Sequence, residues 1–172
     1  MEFIFVHIGK TAGTSIISST EGLVVWGHDT AGEIREKMGF DRYEAATTFT
    51  VIREPESRYV SACQHMKLDP NSPETWAKVE RVCKGLRQRF KERLFLQQWR
   101  TLELDGEVSI DHIFRFEEDV PGNVYEFLAD SGLATGDSFP HLRKAGKKPE
   151  LTPEAREWVH DFYLMDYERL RF

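Results

Sequence analysis

The chain has 172 residues, 40% hydrophobic and 30% charged, a composition typical of a globular protein and not of a disordered or fibrous one. The formal net charge of −6 argues against nucleic acid as a partner. Only two cysteines, Cys63 and Cys83, occur, and they form no C-x-x-C pattern, so we expect neither a disulfide framework nor a metal site. This length favours a single domain over residues 1–172.

The sequence also contains no apolar stretch long enough to span a bilayer. The first predicted strand begins at about Phe3, which leaves no room for a signal peptide. We therefore expect a cytoplasmic protein with no membrane span.

The first predicted element is a short apolar strand, Phe3–Val6, followed directly by a loop rich in glycine, lysine, threonine and serine. Backbone N–H groups of such a loop bind anions, and a lysine adds a full charge. The candidate anion-binding residues are Gly9, Lys10, Thr11, Ala12, Gly13, Thr14 and Ser15. A Walker A loop is a weak match, because Ile4 stands where its first glycine belongs and the lysine comes too early.

A second short strand is predicted at Leu23–Trp26, followed by a polar turn and a helix around Glu33–Met38. Either Asp29 or Thr30 can cap that helix. His28 lies in the turn and is therefore expected at the same sheet edge as the loop.

The third predicted strand, Thr48–Ile52, is rich in β-branched residues and leads into a helix whose first turn contains Pro55. Open α/β sheets bind ligands at the carboxyl ends of their strands, which is where Arg53 lies. The guanidinium group is a planar fork of donors suited to phosphate. Arg53 and Arg58 are therefore further candidate binding residues, and Ser61 lies two turns into the same helix.

Residues 73–104 are predicted to form one or two helices with an apolar stripe at Val82, Leu86, Phe90 and Leu94. The other faces are basic and are expected to be solvated. The alternative is a basic wall that recruits an acidic acceptor. The basic residues are Arg81, Lys84, Arg87, Arg89, Lys91, Arg93 and Arg100.

A last strand is predicted at Asp111–Glu117, in which Arg115 and Glu117 are expected to form a buried pair, and a helix is predicted at Pro121–Leu133. A basic loop, His141–Pro149, follows. The final helix is expected to begin with Thr152 as N-cap and proline at its first position.

Two of these motifs resemble those of the sulfotransferases that use 3′-phosphoadenosine 5′-phosphosulfate (PAPS). The segment H-I-G-K-T-A-G-T-S is similar to their 5′-phosphosulfate loop, which in many carbohydrate and bacterial members reads H-I-P-K-T-A-G-T-S, so Gly9 replaces a proline. The segment R-E-P-E-S-R-Y-V-S resembles R-x-P-x-x-R-x-x-S, in which the residues matching Arg53 and Ser61 hold the 3′-phosphate. The segment I-F-R-F-E-E-D is similar to a strand of the bacterial members.

The resemblance implies a three-layer α/β domain with a central parallel sheet, of the P-loop NTPase-like sulfotransferase fold. It implies PAPS as donor and 3′,5′-ADP as product, with Lys10 stabilising the leaving oxygen. The segment W-G-H-D-T-A resembles the one whose histidine acts as base, which makes His28 the candidate base. Arg143 and Lys144 would lie on a flap that closes on the cofactor phosphates; the alternative is a mobile solvated loop.

Several alternatives stay open at this stage. His65 and His141 are the next candidates for the base. A P-loop kinase or a PAPS-binding module without turnover would be the rival functions. The acceptor is expected to be a small molecule or a short carbohydrate with a hydroxyl or amine group.

Overall fold

The centre of the fold is a sheet of four parallel strands. The structure is a computed structural model, and it describes residues 2–84, 92–136, 138–139 and 148–172. The strands of the described residues, in chain order, are β1 (Phe3–Phe5), β2 (Leu23–Val24), β3 (Thr47–Ile52), β4 (Glu103–Leu104), β5 (Glu107–Val108) and β6 (His112–Arg115). The sheet order is β2-β1-β3-β6, with every pairing parallel, while β4 and β5 form a separate antiparallel pair. The predicted parallel sheet is therefore confirmed.

Helices connect and flank these strands. They are α1 (Gly13–Ser18), α2 (Ala31–Met38), α3 (Phe40–Glu44), α4 (Pro55–Met66), α5 (Pro73–Lys84), a 3₁₀ turn (Glu92–Phe95), α6 (Gln98–Leu102), α7 (Phe116–Asp119), α8 (Gly122–Asp130), α9 (Pro153–Phe162) and α10 (Leu164–Leu170). The start of α2 is a capping box, because the Thr30 hydroxyl accepts from the Glu33 N–H at 3.2 Å and the Glu33 carboxylate accepts from the Thr30 N–H at 2.8 Å. Thr152 caps α9, as predicted.

Helices cover both faces of the sheet. Ile4 and Phe5 are consecutive residues of β1, so their side chains point to opposite faces, yet both are 0% exposed. Ile4 packs with Ile34 of α2 and Leu102 of α6. Phe5 packs in a second cluster, with Ile16 of α1 and Leu128 of α8. The result is a helix–sheet–helix arrangement in three layers.

A third cluster lies beside the sheet, where α4 packs on α5 and α9. Tyr59 and Cys63 of α4, Val79 of α5 and Val159 of α9 are all 0% exposed there. None of the helices in the described ranges has the length and apolarity needed to span a bilayer.

The region before β6 confirms the predicted helices in part, because α5 (Pro73–Lys84) and α6 (Gln98–Leu102) lie within it. Part of residues 73–104 forms the 3₁₀ turn, the short α6 and β4. Leu86, Phe90 and the basic residues Arg87, Arg89 and Lys91 lie outside the described residues. Arg93 is not part of an open basic wall, because its guanidinium donates to the carboxylates of Asp29 and Glu33.

The prediction that Arg115 and Glu117 form a buried pair is wrong. β6 ends at Arg115 and α7 begins at Phe116, so the two side chains diverge. Arg115 Nη2 donates to the carbonyls of Leu170 at 2.8 Å and Arg171 at 3.1 Å. It therefore fixes the C-terminal helix to the sheet, and the carboxylate of Glu117 is available to a different arginine.

A buried carboxylate joins the C-terminal helix to α6. Asp166 is 0% exposed, and its oxygens accept from the backbone N–H groups of Gln98 at 3.0 Å and Trp99 at 2.9 Å. We expect Asp166→Ala to lower the free energy of unfolding by about 2–4 kcal/mol, since two N–H groups at a helix start lose their acceptor. Urea denaturation measures this. The matched control is Asp161→Ala, whose side chain is 77% exposed and whose loss should cost less than about 0.5 kcal/mol.

Candidate functional site

The loop after β1 is held in a specific backbone conformation. Lys10 and Ala12 adopt left-handed φ values of 72° and 67°, which are uncommon for residues other than glycine. Between them, Thr11 is 0% exposed and its hydroxyl donates to the Ile8 carbonyl at 2.7 Å. The Thr11 side chain thus fixes the loop from inside, and its hydroxyl is not available to a ligand.

Several N–H groups at the start of α1 face the end of the sheet. Those of Ala12, Gly13 and Thr14 donate to no backbone carbonyl outside α1 in the part of the chain that the structure describes. The Ser15 N–H donates to the Ala12 carbonyl at 2.9 Å. Consecutive N–H groups in a loop with left-handed residues attract an anion. This agrees with the predicted chemistry of the loop.

Both glycines of the loop stand where a side chain would collide. A Cβ atom on Gly13 would lie 1.9 Å from Nε2 of His7, so His7 and α1 fit together only because position 13 has no side chain. A Cβ atom on Gly9 would lie 2.5 Å from Cδ2 of Leu94 and 3.6 Å from Cε1 of His28. Gly9 therefore brings the loop close to both the 3₁₀ turn and the candidate base.

Arg53 follows β3 and lies beside the loop, as expected from its place at the strand end. Its Nη1 donates to the Lys10 carbonyl at 3.0 Å, and its Nε donates to the Ser57 hydroxyl at 3.2 Å. The guanidinium also lies 4.1 Å from the ring centre of Phe116 and 3.5 Å from a carboxylate oxygen of Glu117. Burial lowers the pKa of Arg53, and Glu117 opposes that shift.

Gln98 holds the main chain of Arg53. Its Oε1 accepts from the Arg53 N–H at 2.9 Å and its Nε2 donates to the Arg53 carbonyl at 2.8 Å. Gln98 is 0% exposed. Sequence reasoning missed this residue, because nothing local in the sequence marks a contact between positions 45 residues apart.

Arg58 differs from its predicted role as a phosphate contact. It is 1% exposed, and its guanidinium donates to the carbonyls of Gly9 at 3.2 Å, Leu94 at 3.0 Å and Leu96 at 2.7 Å. Its Nη1 atom is buried and has no hydrogen-bond partner among the described residues. The side chain points into the protein and ties the loop to the segment after the 3₁₀ turn, so its role here is structural.

The Ser57 hydroxyl and one lysine lie beside Arg53. Ser61, predicted from the motif, is buried on α4 with 7% exposed, one turn beyond Ser57. Lys148 Nζ donates to the Ser57 hydroxyl at 2.9 Å, so that hydroxyl links two cationic side chains. Burial lowers the pKa of Lys148, and the charge of Arg53 adds to the shift. Sequence reasoning missed Ser57, although its i, i+4 spacing from Arg53 was a usable signal.

Lys148 comes from the predicted basic loop, and a cavity of about 260 Å³ adjoins it. Arg143 and Lys144, the predicted cofactor-binding residues of that loop, and His141 lie outside the described residues. A second cavity, of about 480 Å³, lies at the end of α2 and is lined by none of the predicted site residues; its lining is Gly32, Arg35, Glu36, Gly39, Phe40 and Asp105.

His28 lies against the loop, as predicted. Its Nδ1 is 3.0 Å from the His7 carbonyl, and the centres of the two imidazole rings are 4.2 Å apart. Arg93 Nη1 donates to the His28 carbonyl at 2.9 Å and thereby fixes the turn. Burial lowers the pKa of His28 below the ordinary 6.5, so the ring is neutral at neutral pH and able to accept a proton. His65 is exposed on α4.

The structure thus brings the loop, Arg53 and His28 together at one edge of the sheet and assigns Arg58 to the interior. Comparisons with protein-family models, with curated proteins and with solved structures find no match.

The interior position of Arg58 leads to a prediction about stability. Arg58→Met should lower the free energy of unfolding by about 3–5 kcal/mol, because three buried carbonyls lose their donors. Thermal and urea unfolding of the protein without any ligand measure this. Arg42→Met is the control, since Arg42 is 58% exposed and its solvated ion pair with Glu2 should contribute little to stability. Equal stability of the Arg58 and Arg42 variants would contradict the structural role.

Proposed function

We propose that this protein is a PAPS-dependent sulfotransferase with the P-loop-like fold of that family. The single observation that carries the proposal is the 3.0 Å hydrogen bond from Arg53 Nη1 to the Lys10 carbonyl. It joins two motifs that are 43 residues apart in the sequence and that resemble the two phosphate-binding motifs of one cofactor. The order of the parallel strands supports the same interpretation, because β1 and β3 are neighbours.

The residues present suit the two ends of PAPS. The N–H groups of Ala12 to Thr14 and the charge of Lys10 suit the 5′-phosphosulfate. Arg53, Ser57, Ser61 and Lys148 would hold the 3′-phosphate, since charge-assisted hydrogen bonds from a guanidinium and an ammonium match its oxygens. Arg58 would contribute indirectly by keeping the loop in place.

PAPS supplies a sulfuryl group attached to a phosphate oxygen. During transfer, negative charge would develop on that oxygen, and Lys10 would stabilise it. His28 would take the proton of the acceptor hydroxyl or amine. Because burial lowers the pKa of His28, the ring is uncharged at neutral pH and can take up a proton in this role. The acceptor is proposed to be a small molecule or a short carbohydrate.

The cofactor is tested by calorimetry. We expect 3′,5′-ADP to bind the wild type more tightly than 5′-AMP and more tightly than ATP with magnesium. Arg53→Ala should weaken 3′,5′-ADP binding by about 2–4 kcal/mol and leave 5′-AMP binding almost unchanged, because only the former carries the 3′-phosphate.

The matched control is Lys78→Ala, which removes a positive charge on the exposed side of α5 and should leave both affinities unchanged. Equal losses for the two nucleotides in Arg53→Ala would show that Arg53 serves only the fold. Preference for ATP with magnesium would favour a kinase.

The base is tested by kinetics. Transfer of ³⁵S from labelled PAPS is measured on a panel of phenols, alcohols, amines and monosaccharides. With the substrate found, His28→Ala should lose roughly 10²–10⁴ in turnover and bind 3′,5′-ADP within a few-fold of wild type. Asn at this position should not restore activity, since an amide cannot take up the proton.

The pH dependence has a definite sign. The rate of the wild type should rise as pH increases through the pKa of His28, since the ring must lose its proton to act as base. That limb should lie below pH 6.5. Retained activity in His28→Ala would remove His28 from the mechanism. Nucleotide binding without transfer in the wild type would favour a non-catalytic PAPS-binding module.

A further inference from the structure

The side chain of His7 lies at the centre of the site, although the proposed reaction gives it no task. Its ring stacks on Phe5 with centres 5.3 Å apart and faces the ring of His28 with centres 4.2 Å apart. Its Nε2 edge fits against Gly13, where a Cβ atom would be only 1.9 Å away. One imidazole therefore touches the core, the start of α1 and the candidate base.

The main chain of His7 determines which nitrogen of His28 carries hydrogen. The Nδ1 atom of His28 lies 3.0 Å from the His7 carbonyl oxygen. A carbonyl can only accept a hydrogen bond, so Nδ1 must be the protonated nitrogen. In the neutral ring, Nε2 then carries the lone pair and is the nitrogen that accepts a proton.

The ring of His7 acts on His28 by excluding water. Burial lowers the pKa of His7 to about 3, with the charge of His28 adding to the shift and the Gly27 carbonyl opposing it. His7 is therefore uncharged when His28 titrates and cannot repel its proton. It packs against the His28 ring instead, with the two ring planes tilted by 47°, and partial loss of solvent disfavours the charged form of a histidine.

Other charged groups also face His28. Arg58 of α4 and Arg93 of the 3₁₀ turn lower its pKa, whereas Asp29, the residue after His28, raises it. Arg93 is paired with Glu33, and both arginines are anchored on backbone carbonyls. These charges stay in place when the side chain of His7 is changed, so the effect of the ring can be isolated.

We propose that His7 is a positioning residue. Its carbonyl selects the Nδ1–H tautomer of His28, and its ring limits the access of water to His28 and holds His28 beside the anion-binding loop. The consequence for turnover rests on the proposed sulfotransferase function. The state of His28 itself does not, because it follows from contacts present without any ligand.

The experiment uses the whole protein without ligand and follows the imidazole ¹⁵N and ¹H signals of His28 by NMR while the pH is changed. In the wild type, Nδ1 should show the shift of a protonated nitrogen and Nε2 that of an unprotonated one. The opposite tautomer would overturn the proposal, and this part needs no variant to fold.

Two variants then separate water exclusion from other effects. His7→Ala uncovers the ring and should raise the titration midpoint of His28 by about half a unit or more, toward 6.5. His7→Leu has a similar volume and keeps water out, so its midpoint should stay within about 0.2 unit of wild type. Equal shifts in both variants, or no shift in His7→Ala, would overturn the proposal.

The same design distinguishes this proposal from the proposed function. If 3′,5′-ADP fails to bind but the tautomer and the two midpoints are as expected, the sulfotransferase proposal falls and the role of His7 stands. If the protein is active, the rising limb of its pH–rate profile should move in His7→Ala by the same amount as the NMR midpoint and should not move in His7→Leu. A limb that moves independently of the midpoint would show that His7 does not act through His28.

Discussion

The arrangement of the site depends on one buried guanidinium. Arg58 gathers the carbonyls of Gly9, Leu94 and Leu96, which come from two segments distant in the sequence. A buried charge without such partners would be strongly unfavourable, so the two segments must stay where Arg58 can bind them. The loop after β1 is therefore anchored from the interior by Arg58, and its backbone N–H groups are held in place in the protein without ligand. The facing ring of Tyr163, 6.0 Å from the guanidinium, extends this anchoring to the last helices.

A second chain of contacts reaches the same site from the C-terminus. Asp166 holds the start of α6, and Gln98 at that start brackets the main chain of Arg53. Arg53 then donates to the loop at Lys10. Three successive hydrogen-bonded contacts, Asp166 to Gln98, Gln98 to Arg53 and Arg53 to Lys10, thus position the guanidinium. They begin at Asp166, which is 113 positions after Arg53 in the sequence. Preorganisation of this kind reduces the ordering that a ligand must impose.

The sequence was sufficient for those features that depend on local patterns. The four parallel strands, the cap at Thr30 and the proximity of Arg53 to the loop follow from apolar runs, capping residues and the rule that ligands meet strand ends. The inward orientation of Arg58 could not be predicted, because a motif gives spacing and not the direction of a side chain relative to distant carbonyls. Gln98 and Lys148 were missed for the same reason, since each contact crosses 45 or more residues. Glu117 was predicted as charged and structural but was assigned the wrong arginine, because the strand was taken to continue past Arg115.

The contact of Gly9 with Leu94 links two positions that no motif connects. A Cβ atom at position 9 would lie only 2.5 Å from Cδ2 of Leu94, so any larger residue there must displace the leucine. Leu94 is 5% exposed and its carbonyl is bound to Arg58, so its backbone has little freedom to move. The backbone of Leu94 lies at ordinary contact distance, 3.6 Å, so the collision involves only the end of its side chain. The choice of residue at position 9 is therefore coupled to the conformation that the side chain at position 94 can adopt.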